Sequence, residues 1–357
     1  MEAAPQPGRG GYWLDPLRML AGGKVMEDFT AHRLRFRVAV QTPIELNPHK
    51  GSSIRGALYH ALRRQFCFNR EAPSCAECPL HATCPVAFLV ATTIRDRMLK
   101  VDDKGQRGRE VPRPYTIEPP LESKTRYEPG ETLTFGLTLF TQALNLFPYI
   151  ILAIKGLEKG GLGRKVAENG WRRGTFTLQE ITAFNPLTGE RQTVLQEGSE
   201  LVEVPDVPVT HPQVMAAAKE RQLIRDGILK MEFLTPTRLI DQGQLVHKPR
   251  FRPLLQRLLE RLSALARTFS DTPFDQELKY RLIGQAEAIE TVADETRWVE
   301  LESYSTRRRA RTPIGGFVGR AAFRGNLEPF LPWLIWGQFT HVGKNAVKGD
   351  GWYRICT

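Results

Sequence analysis

The C-terminal end of the chain carries the stretch that decides the fold, a glycine-rich loop ahead of a short last strand. Residues 343–351 read GKNAVKGDG, and the segment from Ser303 to Thr357 holds nine Lys or Arg residues against two acids. Glycines permit positive φ and let backbone N–H groups close on a phosphate, while lysines supply charge. The loop does not fit a nucleotide-binding P-loop, because Gly343-Lys344 is followed by Asn345 rather than Ser or Thr. The pattern predicts a surface for a polyanion, although glycine turns and arginine runs also occur as plain turns and solvated faces.

The composition of the whole chain favours nucleic acid as that polyanion. The 357 residues carry a formal net charge of +11, and this balance suits nucleic acid or an anionic membrane surface. The membrane is the weaker option, because the sequence contains no basic amphipathic anchor. The longest apolar run, around Tyr149–Ile154, is far too short to span a bilayer, and residues 1–11 lack the apolar core of a signal peptide. We expect a cytoplasmic protein with a flexible tail at residues 1–11.

Both halves of the chain show the same order of predicted elements. The elements are predicted from alternating or helical periodicity. In the first half these are a strand at Leu34–Val40, a helix that ends at Phe66, a strand at Leu133–Leu139, a helix at Leu146–Leu157, a glycine loop at 160–163 and a strand at Phe176–Leu178. Ser52 and Ser53 are the possible N-caps of the first helix. Residues 101–120, rich in Gly and Pro, should form a long loop. The second half repeats the plan with a strand at Leu229–Phe233, a helix at Phe251–Leu265, a hairpin of Trp298–Ser305 with Gly316–Phe323, a helix at Leu327–Ile335 and a strand at Trp352–Cys356.

Each half therefore approximates β-α-β-β-α-β, the ferredoxin-like or RRM-like order, and the chain resembles a diverged tandem repeat. The predicted class is α+β. The predicted domains are residues 12–212 and 213–357, joined by the Pro-rich segment near 204–212, with a cysteine-containing insertion at about 67–90 in the first.

That insertion is the most specific local signal in the sequence. It contains Cys67, Cys75, Cys78 and Cys84, including one C-x-x-C pair. Thiols stay reduced in the cytosol, and four thiolates satisfy a tetrahedral Zn²⁺, so the spacing favours a structural zinc site over disulfides. An iron–sulfur cluster would accept the same ligands, His81 would be a poorer replacement for one cysteine, and the cysteines could also be vestigial.

Together these features resemble the RAMP superfamily of CRISPR systems, and most closely its endoribonucleases that cut precursor CRISPR RNA at the repeats. The resemblance extends over nearly the whole chain. It rests on Gly51–Leu58, Cys75–Pro85, Thr235–Arg238, Ser305 with Arg307, Gly315–Gly319 and His341–Lys344. The sequence departs from the family in one place, where the loop closes Gly349-Asp350-Gly351 instead of Gly-Leu-Gly. An acid there would weaken a phosphate contact or cap the turn.

The resemblance implies cleavage of RNA by its own 2′-OH without a catalytic metal, leaving a 2′,3′-cyclic phosphate and a 5′-OH. This chemistry needs a base, an acid and a cation for the phosphorane charge, and family members carry catalytic residues on or beside the first helix. The catalytic candidates are His60 as general base with Tyr59 assisting, and His49 as its competitor. The expected partner is CRISPR repeat RNA or crRNA, with other CRISPR effector subunits as further candidates. The predicted RNA-binding residues are Lys50, Arg55, Arg307, Arg308, Arg309, Arg311, His341, Gly343, Lys344, Lys348, Gly349 and Gly351.

Two alternatives remain open at this stage. The first is a RAMP subunit that holds crRNA in an effector complex without cutting it. The second is a zinc-containing DNA-binding regulator, which would need a recognition helix beside the cysteines. The sequence leaves the repeat, the CRISPR subtype and the oligomeric state undetermined.

Overall fold

The computed structural model describes residues 25–91, 111–220, 222–305 and 310–356. Its first half contains β1 (Thr30–Val40), β2 (Ile44–Glu45), α1 (Lys50–Phe66), α2 (Pro85–Val90), β3 (Tyr115–Glu118), β4 (Arg126–Tyr127), β5 (Thr132–Phe140), α3 (Phe147–Gly160), β6 (Leu162–Val166), β7 (Arg172–Gly174), β8 (Phe176–Phe184), β9 (Arg191–Gln196) and β10 (Val209–Thr210).

The second half contains α4 (His211–Glu220), β11 (Ile224–Arg225), β12 (Ile228–Thr237), β13 (Leu239–Asp241), β14 (Gln244–Val246), α5 (Phe251–Phe269), α6 (Gln276–Gln285), β15 (Glu290–Val299), β16 (Glu302–Ser305), β17 (Ala310–Pro313), β18 (Gly316–Arg324), α7 (Leu331–Thr340) and β19 (Tyr353–Cys356). Within the described ranges, no helix is long and apolar enough to cross a membrane.

The two main sheets are antiparallel and have the same topology. In the first, β1 lies between β5 and β8, and β3 is on the far side of β5. In the second, β12 lies between β18 and β19, and β15 is on the far side of β18. When the four strands just named are numbered in chain order within their half, each sheet has the strand order 4-1-3-2. The crossover helices are α1 and α3 in the first half and α5 and α7 in the second. The predicted α+β class and tandem ferredoxin-like fold are confirmed.

The first half differs from the sequence interpretation in two places that shape the site. Residues 115–118 form the fully buried strand β3 instead of a loop, and flanking prolines at 114, 119 and 120 had hidden it. Helix α1 begins at Lys50 with His49 as its N-cap, so Ser52 and Ser53 lie inside the first turn and do not cap it. The Ser53 hydroxyl instead accepts a hydrogen bond from the Asn47 amide. This bond folds the preceding loop back onto the helix.

The hydrophobic cores hold the two halves together. Phe29, Ala31 and Phe140 of the first half belong to the core that α5 and α7 cover, and Val347 of the glycine loop belongs to the core of the first half. A side-chain hydrogen bond from Thr116 to the carbonyl of Phe339 also crosses the contact at 2.8 Å. The glycine loop of the second half is thereby fixed against helix α1 of the first.

Candidate active site

His49 is held in place by a hydrogen bond at each ring nitrogen. Its Nδ1 lies 2.5 Å from Oγ of Ser52, and its Nε2 lies 2.5 Å from Oδ1 of Asp350. The His49 and Asp350 side chains are only 8% and 2% exposed. Burial raises the pKa of Asp350, and the hydrogen bond and charge of His49 oppose that rise. A hydroxyl, an imidazole and a carboxylate thus form one chain of hydrogen bonds at the start of α1.

This geometry explains the acid at the position where the family's loop usually has leucine. The Asp350 carboxylate points into the protein toward His49 and is not directed at a phosphate in solvent. Aspartate and histidine are 301 positions apart in the chain. Sequence reasoning identified Asp350 as a departure but missed its partner, and a loop acid together with a histidine before the first helix is the signal that would have linked them.

The glycine loop packs directly on the first turn of α1. A Cβ added at Gly51 would lie 1.7 Å from the carbonyl oxygen of Lys348, and one added at Gly351 would lie 1.8 Å from that of Val342. Gly349 and Gly351 also have φ angles of +92° and +68°, which favour glycine. Both are buried. A Cβ added at Gly349 would meet Ile117 and Pro119, so Gly349 lets the loop lie against the first half, whereas Gly351 lets the two ends of the loop approach each other. Their contact with a phosphate stays a prediction.

Basic side chains lie near the His49–Asp350 pair. Burial and the nearby charges of Arg55 and Arg113 lower the pKa of Lys348, while the Asp350 charge opposes the shift. Arg55 lies on α1 with its guanidinium over the ring of Tyr59, 5.2 Å from the centroid. Arg113, which sequence reasoning did not select, donates from Nε to the carbonyl of Val90 at 3.1 Å. The cluster supplies positive charge next to a histidine and a carboxylate.

His60 occupies a different environment farther along α1. It is exposed, and partial burial together with the charges of Arg173, Arg55, Arg63 and Arg64 lowers its pKa. At about 1.5 Å of rise per residue, His60 lies roughly 16 Å along the helix axis from His49. Tyr59 belongs to the His60 region, since its hydroxyl accepts from Arg63 Nη1 at 3.5 Å. The two histidines therefore do not serve the same phosphate.

The remaining predicted RNA-binding residues differ in accessibility. The buried ammonium of Lys50 donates to the carbonyls of Pro120 and Glu122. His341 is fully buried and stacks on Trp352, so it offers no surface to RNA in this conformation. Gly343 is half-buried and Lys344 is exposed. Arg311 is exposed, and its Nη1 lies 3.3 Å from Oε2 of Glu302. The other three arginines of this run, Arg307, Arg308 and Arg309, lie outside the described residues.

The four cysteines of the insertion are half-buried around Cys75. Burial and the neighbouring Cys84 and Cys67 raise the pKa of the Cys75 thiol, and Asn69 Nδ2 donates to Cys78 Sγ at 3.4 Å. His81 forms a hydrogen bond through Nδ1 to the carbonyl of Cys75, so its side chain holds the backbone of the insertion. In the part of the chain that the structure describes, no group of three or more His, Cys, Asp or Glu side chains is arranged to hold a metal. The donor types suit zinc, and the zinc site stays a prediction.

Family models match both halves of the chain. Residues 29–207 match a family model described as an N-terminal domain, and residues 231–353 match the CRISPR-associated endoribonuclease Cas6. The chain therefore contains a Cas6 endoribonuclease domain in its second half. Its active-site candidates lie where these two matched regions meet, since His49 comes from the first and Asp350 from the second. No curated protein matches the chain by sequence.

Solved Cas6 structures share the fold at low sequence identity. A Cas6 of Thermus thermophilus in a product complex has a TM-score of 0.52 and 16% identity, and the match covers 92% of this chain and 99% of that one. A partial Cas6-RT-Cas1–Cas2 complex gives a TM-score of 0.56 at 14% identity, covering 93% of this chain but 47% of that polypeptide. At such identities the likeness concerns the tandem fold alone. The DNA-binding regulator is not supported, because α1 is a crossover helix whose apolar face packs in the core of the tandem fold.

Proposed function

We propose that this Cas6-family endoribonuclease cuts precursor CRISPR RNA within its repeats through attack by the RNA's own 2′-OH. The products would be a 2′,3′-cyclic phosphate and a 5′-OH, and the reaction would need no metal. The observation that supports the proposal is the buried hydrogen-bond chain of Ser52, His49 and Asp350 beside Arg55 and Lys348. The family match favours cutting over the crRNA-holding alternative.

His49 takes the proton-transfer role in this proposal. A catalytic base is oriented by a third group on its far nitrogen, and Asp350 provides that group at 2.5 Å from Nε2. Nδ1 now bonds the Ser52 hydroxyl, and the substrate 2′-OH would take that place when RNA binds. His60 has basic neighbours but, among the described residues, no hydrogen-bonded carboxylate that would orient its ring. We therefore assign catalysis to His49 and RNA contact to the His60 region.

Arg55 and Lys348 take the charge-stabilising role. The cyclising phosphate passes through a phosphorane that carries additional negative charge, and fixed cations stabilise that charge most effectively where water is excluded. Lys348 is largely desolvated, and its pKa is lowered for that reason. A nearby phosphate would favour its protonated form, so RNA binding and lysine protonation should reinforce each other. This assignment keeps Arg55 and Lys348 among the RNA-contacting residues.

The test of the proposed function is cleavage of an end-labelled repeat RNA in EDTA. We expect a single site of cutting with undiminished rate in the chelator, and a product whose 3′ end resists polyadenylation until the cyclic phosphate has been opened and the remaining phosphate removed. An RNA carrying a 2′-deoxynucleotide at the cut site should bind but stay intact. Cutting that requires added Mg²⁺, or a product with a 5′-phosphate, would contradict the mechanism. Binding without any cutting would restore the crRNA-holding alternative.

We also propose that Cys67, Cys75, Cys78 and Cys84 bind one structural Zn²⁺. Four thiolates leave no open coordination position, so the metal would stabilise the insertion and take no part in cleavage. Metal analysis of the purified protein should find about one zinc per chain, by the four-ligand rule. Cys75→Ser should lose the zinc and lower Tm by several degrees, whereas Cys356→Ser, at the lone cysteine of β19, should retain it. Protein without zinc whose Tm is unchanged by Cys75→Ser would show that the cysteines are vestigial.

A further inference from the structure

The β6–β7 hairpin presents an unusual aromatic residue to solvent. Trp171 lies directly before β7 and is 70% exposed, although tryptophan is normally well buried in a monomer. Its φ angle is +58°, in the left-handed region that is costly for a bulky side chain. The only hydrogen bond the described structure gives it within the hairpin joins its amide to the carbonyl of Val166. The indole ring is therefore exposed on a strained backbone, and neither property stabilises the folded protein.

The charges of the same hairpin are also arranged unfavourably for the free protein. Lys165 and Arg173 face each other as a cross-strand pair, and Arg172 follows Trp171 directly. Like charges directly opposite one another destabilise a two-stranded ladder. Lys165 and Arg173 are both exposed, and no carboxylate of the described residues pairs with either. A polyanion bound on this face would remove the repulsion.

The hairpin is anchored to the segment that precedes α1. Arg164 Nε on β6 donates to Asn47 Oδ1 at 2.6 Å, and Asn169 Nδ2, in the turn between the two strands, donates to the carbonyl of Pro43 at 2.8 Å. A Cβ at Gly163 would lie 2.3 Å from the carbonyl oxygen of Glu45, so the strands meet with no intervening space. Asn47 stands two residues before His49. The exposed tip is therefore presented by a fixed scaffold next to the proposed active site.

A basic path joins the hairpin to helix α1. Arg173 lies close enough to His60 for its charge to act on that imidazole, and Arg55, Arg63 and Arg64 act on it from the helix itself. Arg55 also reaches Lys348 beside Asp350. Basic side chains therefore lie at intervals from the proposed active site, along α1, to the hairpin that carries Trp171.

We propose that the β6–β7 hairpin is an RNA-gripping element, on which an unpaired base of the substrate stacks against Trp171 while adjacent phosphates lie on the cross-strand pair Lys165 and Arg173. The inference rests on the proposed function, since it names how the same RNA is held away from the cut. Every base has a π-face, and stacking on an aromatic ring requires that the base be free of a duplex. The element therefore binds a single-stranded stretch beside or within the repeat. The net positive charge favours RNA over a protein partner at this tip.

The test is fluorescence anisotropy with labelled repeat RNA in EDTA over a salt series. Trp171→Ala should weaken binding by about tenfold, the order expected for one base–aromatic stack, and should leave the salt slope unchanged. Trp171→Phe should retain most of the affinity. Trp171→Gly relieves the left-handed strain, so its Tm should not fall although its RNA affinity does. Arg173→Ala should instead lower the slope of log K against log salt by roughly 0.7.

The matched control is Tyr280→Ala, which removes another exposed aromatic residue, 67% exposed, from α6 of the second half. It should bind RNA as the wild type does. Wild-type affinity for Trp171→Ala, within twofold, would overturn the hairpin proposal while leaving the cleavage mechanism intact. Cleavage at saturating protein separates the two proposals further, because Trp171→Ala should reach the wild-type maximal rate. If wild-type protein fails to cut the repeat RNA, the proposed function fails, and the binding series still decides the role of the hairpin.

Discussion

Replacing His49 with alanine is expected to slow cleavage of repeat RNA at saturating protein by roughly 10²–10⁴-fold, the contribution of a positioned proton-transfer group. The reason is that His49 alone among the described histidines has its ring oriented by a buried carboxylate, Asp350, at 2.5 Å. Single-turnover rates in EDTA measure the effect, and anisotropy measures RNA binding in parallel. Binding should persist, because the basic residues along α1 are unchanged.

The alanine variant has a structural side effect that requires a second variant. Removing His49 leaves the Asp350 carboxylate buried without its partner, and breaking a buried pair from one side costs about 3–5 kcal/mol. His49→Asn retains a hydrogen-bond donor for the pocket but has no group that transfers protons near neutral pH. We expect His49→Asn to unfold closer to the wild-type temperature and to be nearly as inactive as His49→Ala.

Two further variants on α1 complete the comparison. His60→Ala should weaken RNA binding modestly and leave the rate at saturation within a few-fold of wild type, because its neighbours are cations that contact RNA. Ser52→Ala should remain active, since the substrate 2′-OH replaces that hydroxyl at Nδ1. An inactive His60→Ala enzyme together with an active His49→Asn enzyme would transfer the catalytic role to His60, with Tyr59 as its assistant.

The second large effect is expected for Gly51→Ala. A Cβ at this position would lie 1.7 Å from the carbonyl oxygen of Lys348. That obstacle is backbone and not the end of a flexible side chain, so α1 and the glycine loop must move apart. Overpacking of this kind typically costs about 1–3 kcal/mol and more against rigid backbone. We expect a loss of roughly 3 kcal/mol in the free energy of unfolding, measured by urea denaturation. Cleavage should fall as well, because separation of α1 from the loop pulls Asp350 away from His49.

The same helix provides a matched control with the opposite sign. Gly56 is also in α1, but a Cβ there would meet no atom within 4 Å. Alanine is favoured over glycine in a helix by about 1 kcal/mol, so Gly56→Ala should raise stability and preserve cleavage. Equal stability of the Gly51→Ala and Gly56→Ala proteins would show that the loop does not rest on α1 as described.

Much of the fold was predictable because its elements have clear periodicity. The alternation at Leu34–Val40 and the apolar stripe of α5 led directly to the central strand of the first sheet and the long helix of the second. The missed strand β3 has four consecutive buried residues flanked by prolines. A short, fully buried strand shows no alternation, so periodicity does not distinguish it from a loop. Helix α6 was missed as well, because its ten residues bury only Leu278 and Leu282.

The sequence allowed us to predict several residues of the candidate site but not which of them contact one another. Sequence reasoning selected His49, Arg55 and Lys348, and the structure brings them together. It ranked His60 above His49 because a family tyrosine on the first helix matched Tyr59. Our proposal reverses this order because of the contact between His49 and Asp350, two residues that are 301 positions apart in the chain. Trp171 was not selected at all, since an isolated tryptophan in a basic segment is indistinguishable from a core residue until its exposure is known.

The sequence by itself determined the element order, the basic character of the chain, the RNA-processing family it resembles and the chemical types available for catalysis. The element order, the basic character and the chemical types follow from periodicity, charge and spacing, which are local properties, and the family is indicated by the resemblance of the motifs. Only the tertiary structure decided that the acid of the glycine loop meets the histidine before α1, that Gly349 serves a contact between the halves, and that Trp171 faces solvent. Each of these depends on packing between residues far apart in the chain, where the docking of one half on the other sets distances, burial and pKa together.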